Sequence, residues 1–138
     1  MPLFTRLTAL CQVLEKQATL PVRMSRPEDA PGLYVWPWRI EEDTRVRNSR
    51  LPGETAAMHA PPPLIHFLLM ANTALDGDAL GALEAARLAL LDTPVFEAGD
   101  GRVSVSPAAM SASELTGLFT AADIPLRLSL AYTLRSTA

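Results

Sequence analysis

The sequence predicts an α/β protein of the α+β type, with helices packed on a sheet, and three stretches carry that expectation. Leu3, Leu7, Leu10 and Leu14 recur at three- and four-residue steps, the spacing of one helix face. Residues 64–71, LIHFLLMA, are apolar on both alternating sides, as in a central strand covered on both faces. Near the end, Leu126, Leu128, Leu130, Tyr132 and Leu134 alternate with Arg127, Ser129, Ala131, Thr133 and Arg135. That alternation predicts a strand with one face in a core and the other toward water or a partner.

Composition bounds the rest. A chain of 138 residues, 49% apolar and 20% charged, is expected to form a single domain, 1–138, with a core that needs no metal or disulfide. A net charge of −3 argues against a dedicated nucleic-acid binder, which presents a basic face. The lone cysteine, Cys11, excludes an internal disulfide and lies beside the apolar stripe, where a buried structural thiol is expected. The first residues, MPLFTRLTALCQVLEKQ, are too polar for a signal peptide, and no run reaches the ~18 apolar residues of a membrane helix. The expectation is a soluble, cytoplasmic chain with no membrane partner.

The elements follow in order. The first helix should end before Pro21, and the proline- and charge-rich residues 21–32 read as a loop. LYVWPWRI, residues 33–40, reads as a strand with Tyr34, Trp36, Trp38 and Ile40 on one side. Pro37 cannot donate to a ladder, so this strand should lie at an edge or carry a bulge. From about 41 to 63 the chain lacks any sustained apolar period and carries Arg45, Arg47 and Arg50, which predicts a long flexible loop of the kind that serves function or contact. Pro61–Pro63 hold the backbone extended as it enters the central strand. Asp76-Gly77-Asp78 should turn the chain and cap a helix running to about Leu91, with Leu80, Leu83, Leu90 and Leu91 on its packing face and a stop at Asp92-Thr93-Pro94. GDGRVSVSP reads as a turn and one arm of a hairpin. Ser111 and Glu114 match a capping box for a short helix burying Leu115, Leu118 and Phe119.

No phosphate-binding loop, dinucleotide fingerprint, zinc-protease motif or nucleophile elbow occurs. His59 and His66 stand at a spacing that suits no common metal motif, and His66 reads as a satisfied, partly buried histidine. Asp76 and Asp78 fit helix capping better than calcium binding, since the remaining oxygen ligands are missing. No catalytic residue, cofactor or metal is expected, and the chain reads as no enzyme.

The order of these elements resembles the N-terminal domain family of the tail-terminator, or cap, proteins of contractile injection systems, which are phage tail-like particles. Leu33-Tyr34-Val35-Trp36 stands where that family has Leu-Tyr-x-Tyr in its first strand, and Arg47-Asn48 matches an Arg-Asn pair in the loop that follows. Pro62-Pro63-Leu64 matches a Pro-Pro-Leu that leads the next strand. Leu80-Gly81, the helix end Leu91-Asp92-Thr93-Pro94-Val95, Glu114-Leu115 with Phe119, and Ser129-Leu130-Ala131-Tyr132 complete the series. Phe119 replaces a tryptophan, the strand around Phe67 lacks the usual tyrosine, and many family members continue into a second region.

The resemblance implies a mixed, mostly antiparallel sheet with about three helices packed on it. It also implies a ring of copies of this chain, six in number, stacked on the last tube or sheath ring, assembled in the cytoplasm and then part of the particle. A ring whose copies meet head to tail needs two different surfaces per subunit. Candidate interface residues are Tyr34, Trp36 and Trp38 on the aromatic strand, Arg45, Arg47, Asn48 and Arg50 in the loop, and Arg127 and Arg135 on the last strand. Ordinary core packing competes for the tryptophans, and a solvated surface for the arginines. The proline run would pre-order the exit of the loop so that it reaches a neighbour while the central strand keeps its register. Two other readings stand beside this one: a small binding module acting as assembly chaperone or adaptor, and a hydrolase built around His59 or His66 with a carboxylate or nucleophile partner.

Overall fold

Six strands join into one sheet in the order β1-β2-β3-β6-β5-β4, and helices cover both of its faces. The structure, a computed structural model, describes residues 2–43, 62–99 and 101–136. The elements are α1 (Leu3–Glu15), β1 (Val22–Arg23), β2 (Gly32–Glu41), β3 (Leu64–Asn72), α2 (Asp76–Asp92), β4 (Val95–Ala98), β5 (Gly101–Pro107), α3 (Ala112–Ala121) and β6 (Ser129–Ser136). All pairings are antiparallel except β1 with β2, so the mixed, mostly antiparallel sheet and its three helices match the expectation.

The doubly apolar β3 lies between β2 and β6, and its alternation builds two cores. Ile65, Phe67, Leu69 and Ala71 meet α1 and α2, where the Phe67 and Tyr132 rings stack with centroids 5.6 Å apart. Leu68 and Met70 point the other way, into a second cluster with Tyr34 and Phe119 under α3. Because β6 is interior and covered on both sides, its second face does not meet water as its alternation suggested. Ala131 packs in the second cluster and Thr133 is buried. The strand also begins only at Ser129. Leu126 and Leu128, expected in the core, precede the strand and are 60% and 57% exposed.

α2 departs from expectation at two points. Its packing face is Leu83, Ala86, Ala89 and Leu90, while Leu80 and Leu91 lie outside. Small alanines let the helix approach β3 closely, which rotates those flanking leucines off the sheet. The N-cap position is Leu75, with no side-chain cap. Asp76 and Asp78 sit in the first turn, where their charge faces the positive end of the helix dipole. The helix stops at Thr93 before Pro94, as read.

Two short strands escaped the sequence reading. β1 lies within the proline-rich loop and pairs only with Leu33 and Tyr34 of β2. Gly32 eases the pairing, since a Cβ would stand 3.1 Å from the Pro21 carbonyl oxygen, a tight contact. β4 is the missing arm of the hairpin with β5, turned at Gly99 with a φ of 61°. The capping box of α3 is formed in both directions between Ser111 and Glu114.

Candidate assembly interface

Pro37 determines the geometry of the β2 edge. β2 pairs with β3 in regular register from Gly32 to Pro37, then slips so that Arg39 opposes His66 and Trp38 is the extra residue of a bulge. Up to the bulge, Tyr34 and Trp36 share the α3-facing side. Beyond it the alternation is inverted: Ile40 opposes Ile65 on the other side and is exposed, while Glu41 comes to the α3 side. The sequence reading of Ile40 alongside the tryptophans is thereby corrected; of the edge or bulge expected from Pro37, the bulge occurs, while β1 is the edge strand. Among the described residues, the outer edge of β2 beyond Tyr34 has no strand partner.

Tyr34 is fully buried, and its hydroxyl donates to the Ala30 carbonyl. Trp36 and Trp38 are half-buried at the rim of the second cluster. Trp36 meets Phe119 edge to face at 5.9 Å, and Trp38 tilts against the His66 ring at 5.8 Å. Their inner surfaces thus belong to the core, and their outer surfaces lie at the open sheet edge.

α3 covers the apolar half of this face. Beyond it the same face turns polar. Glu41, His66 and Thr133 form a row across β2, β3 and β6. The His66 Nε2–H donates to Glu41 at 2.9 Å, and its Nδ1 pairs with the Thr133 hydroxyl at 3.2 Å. Arg39 reaches Glu41 at 3.4 Å. The Glu41 carboxyl is held below its usual range, chiefly by the His66 hydrogen bond, with the charges of Arg39 and Arg135 adding to it. One step further, Arg135 approaches Asp43 at 3.8 Å, with Asp43 only 6% exposed. On the other side of the sheet α1 contributes Arg6, 1% exposed, whose Nη1 donates to the Pro63 carbonyl at 2.9 Å. Residues 43 and 63, which flank segment 44–61, are therefore each tied to a buried or half-buried arginine.

His66 thus has both a carboxylate and a hydroxyl partner, the composition that the hydrolase reading asked for. Thr133 is paired with strands on both sides, opposite His66 and Ser106, so its backbone is committed to the sheet. The row is a cross-strand polar ladder of the kind that joins neighbouring strands.

Of the residues expected at an interface, Trp36 and Trp38 are together at one edge. Arg135 lies at the far end of β6 and is engaged by Asp43. Arg127, half-buried, precedes the strand and stands roughly 25 Å away at extended spacing, so the two arginines do not share a patch. Arg45, Arg47, Asn48, Arg50 and His59 lie outside the described residues. Sequence reasoning missed Arg6, although its three- and four-residue spacing from Leu3 and Leu10 places it within the apolar stripe. Glu41 and Asp43 were missed because the bulge decides their side.

A six-stranded, mostly antiparallel sheet with three helices matches the fold of tail-terminator proteins. The chain belongs to the Pvc16 N-terminal domain family, whose model matches residues 5–137. Two solved structures are similar over 100% of this chain. One is the sheath/tube terminator of the PVC extracellular contractile injection system in its extended state, at a TM-score of 0.72 and 17% identity. The other is the tube-terminating cap of the anti-feeding prophage, at 0.68 and 16%. The chain spans 57% and 56% of those two chains. No curated protein matches it. No described helix is long and apolar enough to cross a membrane.

Proposed function

We propose that this chain terminates the tube or sheath of a contractile injection system by closing into a ring of its own copies on the last ring of the particle, with six the expected number. The observation that carries the proposal is coverage: the family match and both terminator structures account for nearly the whole chain, which supports the cap reading. Within the single domain, the long loop at about 41–63 would serve as the arm to the neighbouring subunit, with Arg45, Arg47, Asn48 and Arg50 as contacts. The proline run and the arginine clamps at residues 43 and 63 support such an arm by holding its two roots. Trp36 and Trp38 at the open β2 edge are the second surface, with Tyr34 supporting them from inside, and Arg127 and Arg135 would be separate contacts. Assembly would take place in the cytoplasm.

The test is the mass of the purified chain in solution with negative-stain images, alone and with purified tube and sheath. Closed rings, alone or at tube ends, are expected, and replacing Arg45, Arg47 and Arg50 together with Glu should abolish them. A chain that neither forms rings nor binds tube or sheath overturns the terminator reading in favour of a soluble assembly adaptor.

A further inference from the structure

The outward flank of α2 carries a pattern that the core does not use, although Arg87 also borders Tyr132 of β6. Leu83, Ala86, Ala89 and Leu90 face the core. Leu80, Glu84, Arg87 and Leu91 line up on an exposed stripe at steps of four, three and four, the seam spacing of a helix that packs against another helix. Leu80 and Leu91 are 55% and 54% exposed, a costly arrangement for two leucines on one helix face. No hydrogen bond or ion pair of Glu84 or Arg87 occurs among the described residues, although the two stand three residues apart. Beside the stripe runs a shallow groove lined by Leu80, Leu83, Glu84, Arg87 and the exposed Leu128.

The order Leu-Glu-Arg-Leu is mirror-symmetric in spacing about the midpoint between Ala85 and Ala86, and its charges are antisymmetric. Laid antiparallel against the same helix of a second copy, each Leu80 meets Leu91 of the second copy and each Glu84 meets its Arg87. Both ends are then apolar and both central layers are opposite-charge pairs. A parallel pairing in register would set Glu84 against Glu84 and Arg87 against Arg87, which is repulsive. We propose that α2 is a two-fold, antiparallel contact with a second copy of this chain, with the second copy's Leu91 seated over Leu80 and Leu128. A contact of this kind uses the same patch on both partners and closes at two. It is separate from the head-to-tail contacts of a ring and does not depend on them. Four layers of one helix make a small interface, so the dimer is expected with a Kd on the order of 10 µM.

Analytical ultracentrifugation of the full chain over about 1 to 200 µM tests this. Glu84→Arg and Arg87→Glu should each raise the dimer Kd roughly tenfold or more, since each turns two attractive pairs into like-charge pairs. The double variant Glu84→Arg/Arg87→Glu restores opposite charges in both layers and should return the Kd to within about threefold of the starting value. All four side chains are exposed, so the thermal melts of these variants should match the parent and exclude unfolding. A monomer at the highest concentration overturns the contact, as does an oligomer, a six-membered ring included, that both single variants leave unchanged. A double variant as weak as the singles overturns the antiparallel pairing.

Discussion

Cys11 sits on the inner side of α1, where burial, with the charge of Glu15 adding to it, pushes its thiol up to about 11. At neutral pH it is protonated and shielded, so a thiol reagent should label it slowly in the native chain and rapidly in urea. Equal rates would place it on the surface. Glu41 shows the opposite shift. Its carboxyl is depressed by the hydrogen bond from His66, so the folded state holds its proton less tightly than the unfolded chain does. The stabilisation is present above the ordinary carboxylate range and is lost as pH falls through the lowered folded value. An NMR titration of the Glu41 carboxyl should find it low in the parent and ordinary in His66→Phe; an unchanged value would mean that the ladder does not hold it. Arg6 is a buried cation whose Nε finds no hydrogen-bond partner among the described residues; Met, of similar length, should fill its space but leave the Pro63 carbonyl unpaired, at about 1–2 kcal/mol. Arg6→Ala should cost about 2–4 kcal/mol in urea unfolding, because it leaves a cavity and an orphaned Pro63 carbonyl. The thiol was legible from its neighbours on the helix stripe. The Glu41–His66 pair was not, because the two residues lie 25 apart and meet only through strand register.

At the scale of elements, α3 depends on its first turn. Both halves of the capping box between Ser111 and Glu114 are made, so Ser111→Ala should lower stability by about 1 kcal/mol. Because α3 carries Phe119 against Trp36, the same variant should alter tryptophan fluorescence near the transition, and no change in either would mean that the helix is held by packing alone. Periodicity found α1, β3, α2 and α3 because each is long enough for its period to repeat. It overextended the last strand to Leu126 and misassigned Leu80 and Leu91, because an alternating or helical pattern says which residues share a side and not what covers that side. β1 and β4, two and four residues long, are too short to show a period at all.

Over the whole molecule, stability should be graded outward from β3, the strand that contributes to both cores. Hydrogen exchange should be slowest at Phe67–Met70 and fastest in β4 and before Ser129, and uniform protection would contradict this layering. Leu68→Ala should cost about 2–5 kcal/mol, whereas Phe4→Ala, at an exposed site, should change stability by no more than about 0.5 kcal/mol. The amino-acid sequence by itself determined the mixed architecture, the central two-faced strand, the position of the bulge at Pro37 and the family of cap proteins, because these rest on side-chain periodicity, on backbone chemistry and on the order of local motifs. Only the tertiary structure decided the faces. One extra residue at Trp38 inverts the register, sends Ile40 to the far side and brings Glu41 to His66, since in a strand a slip of one residue exchanges the two sides. The rotation of α2 that leaves Leu80, Glu84, Arg87 and Leu91 outside is settled in the same way, by how closely its alanines let it approach β3.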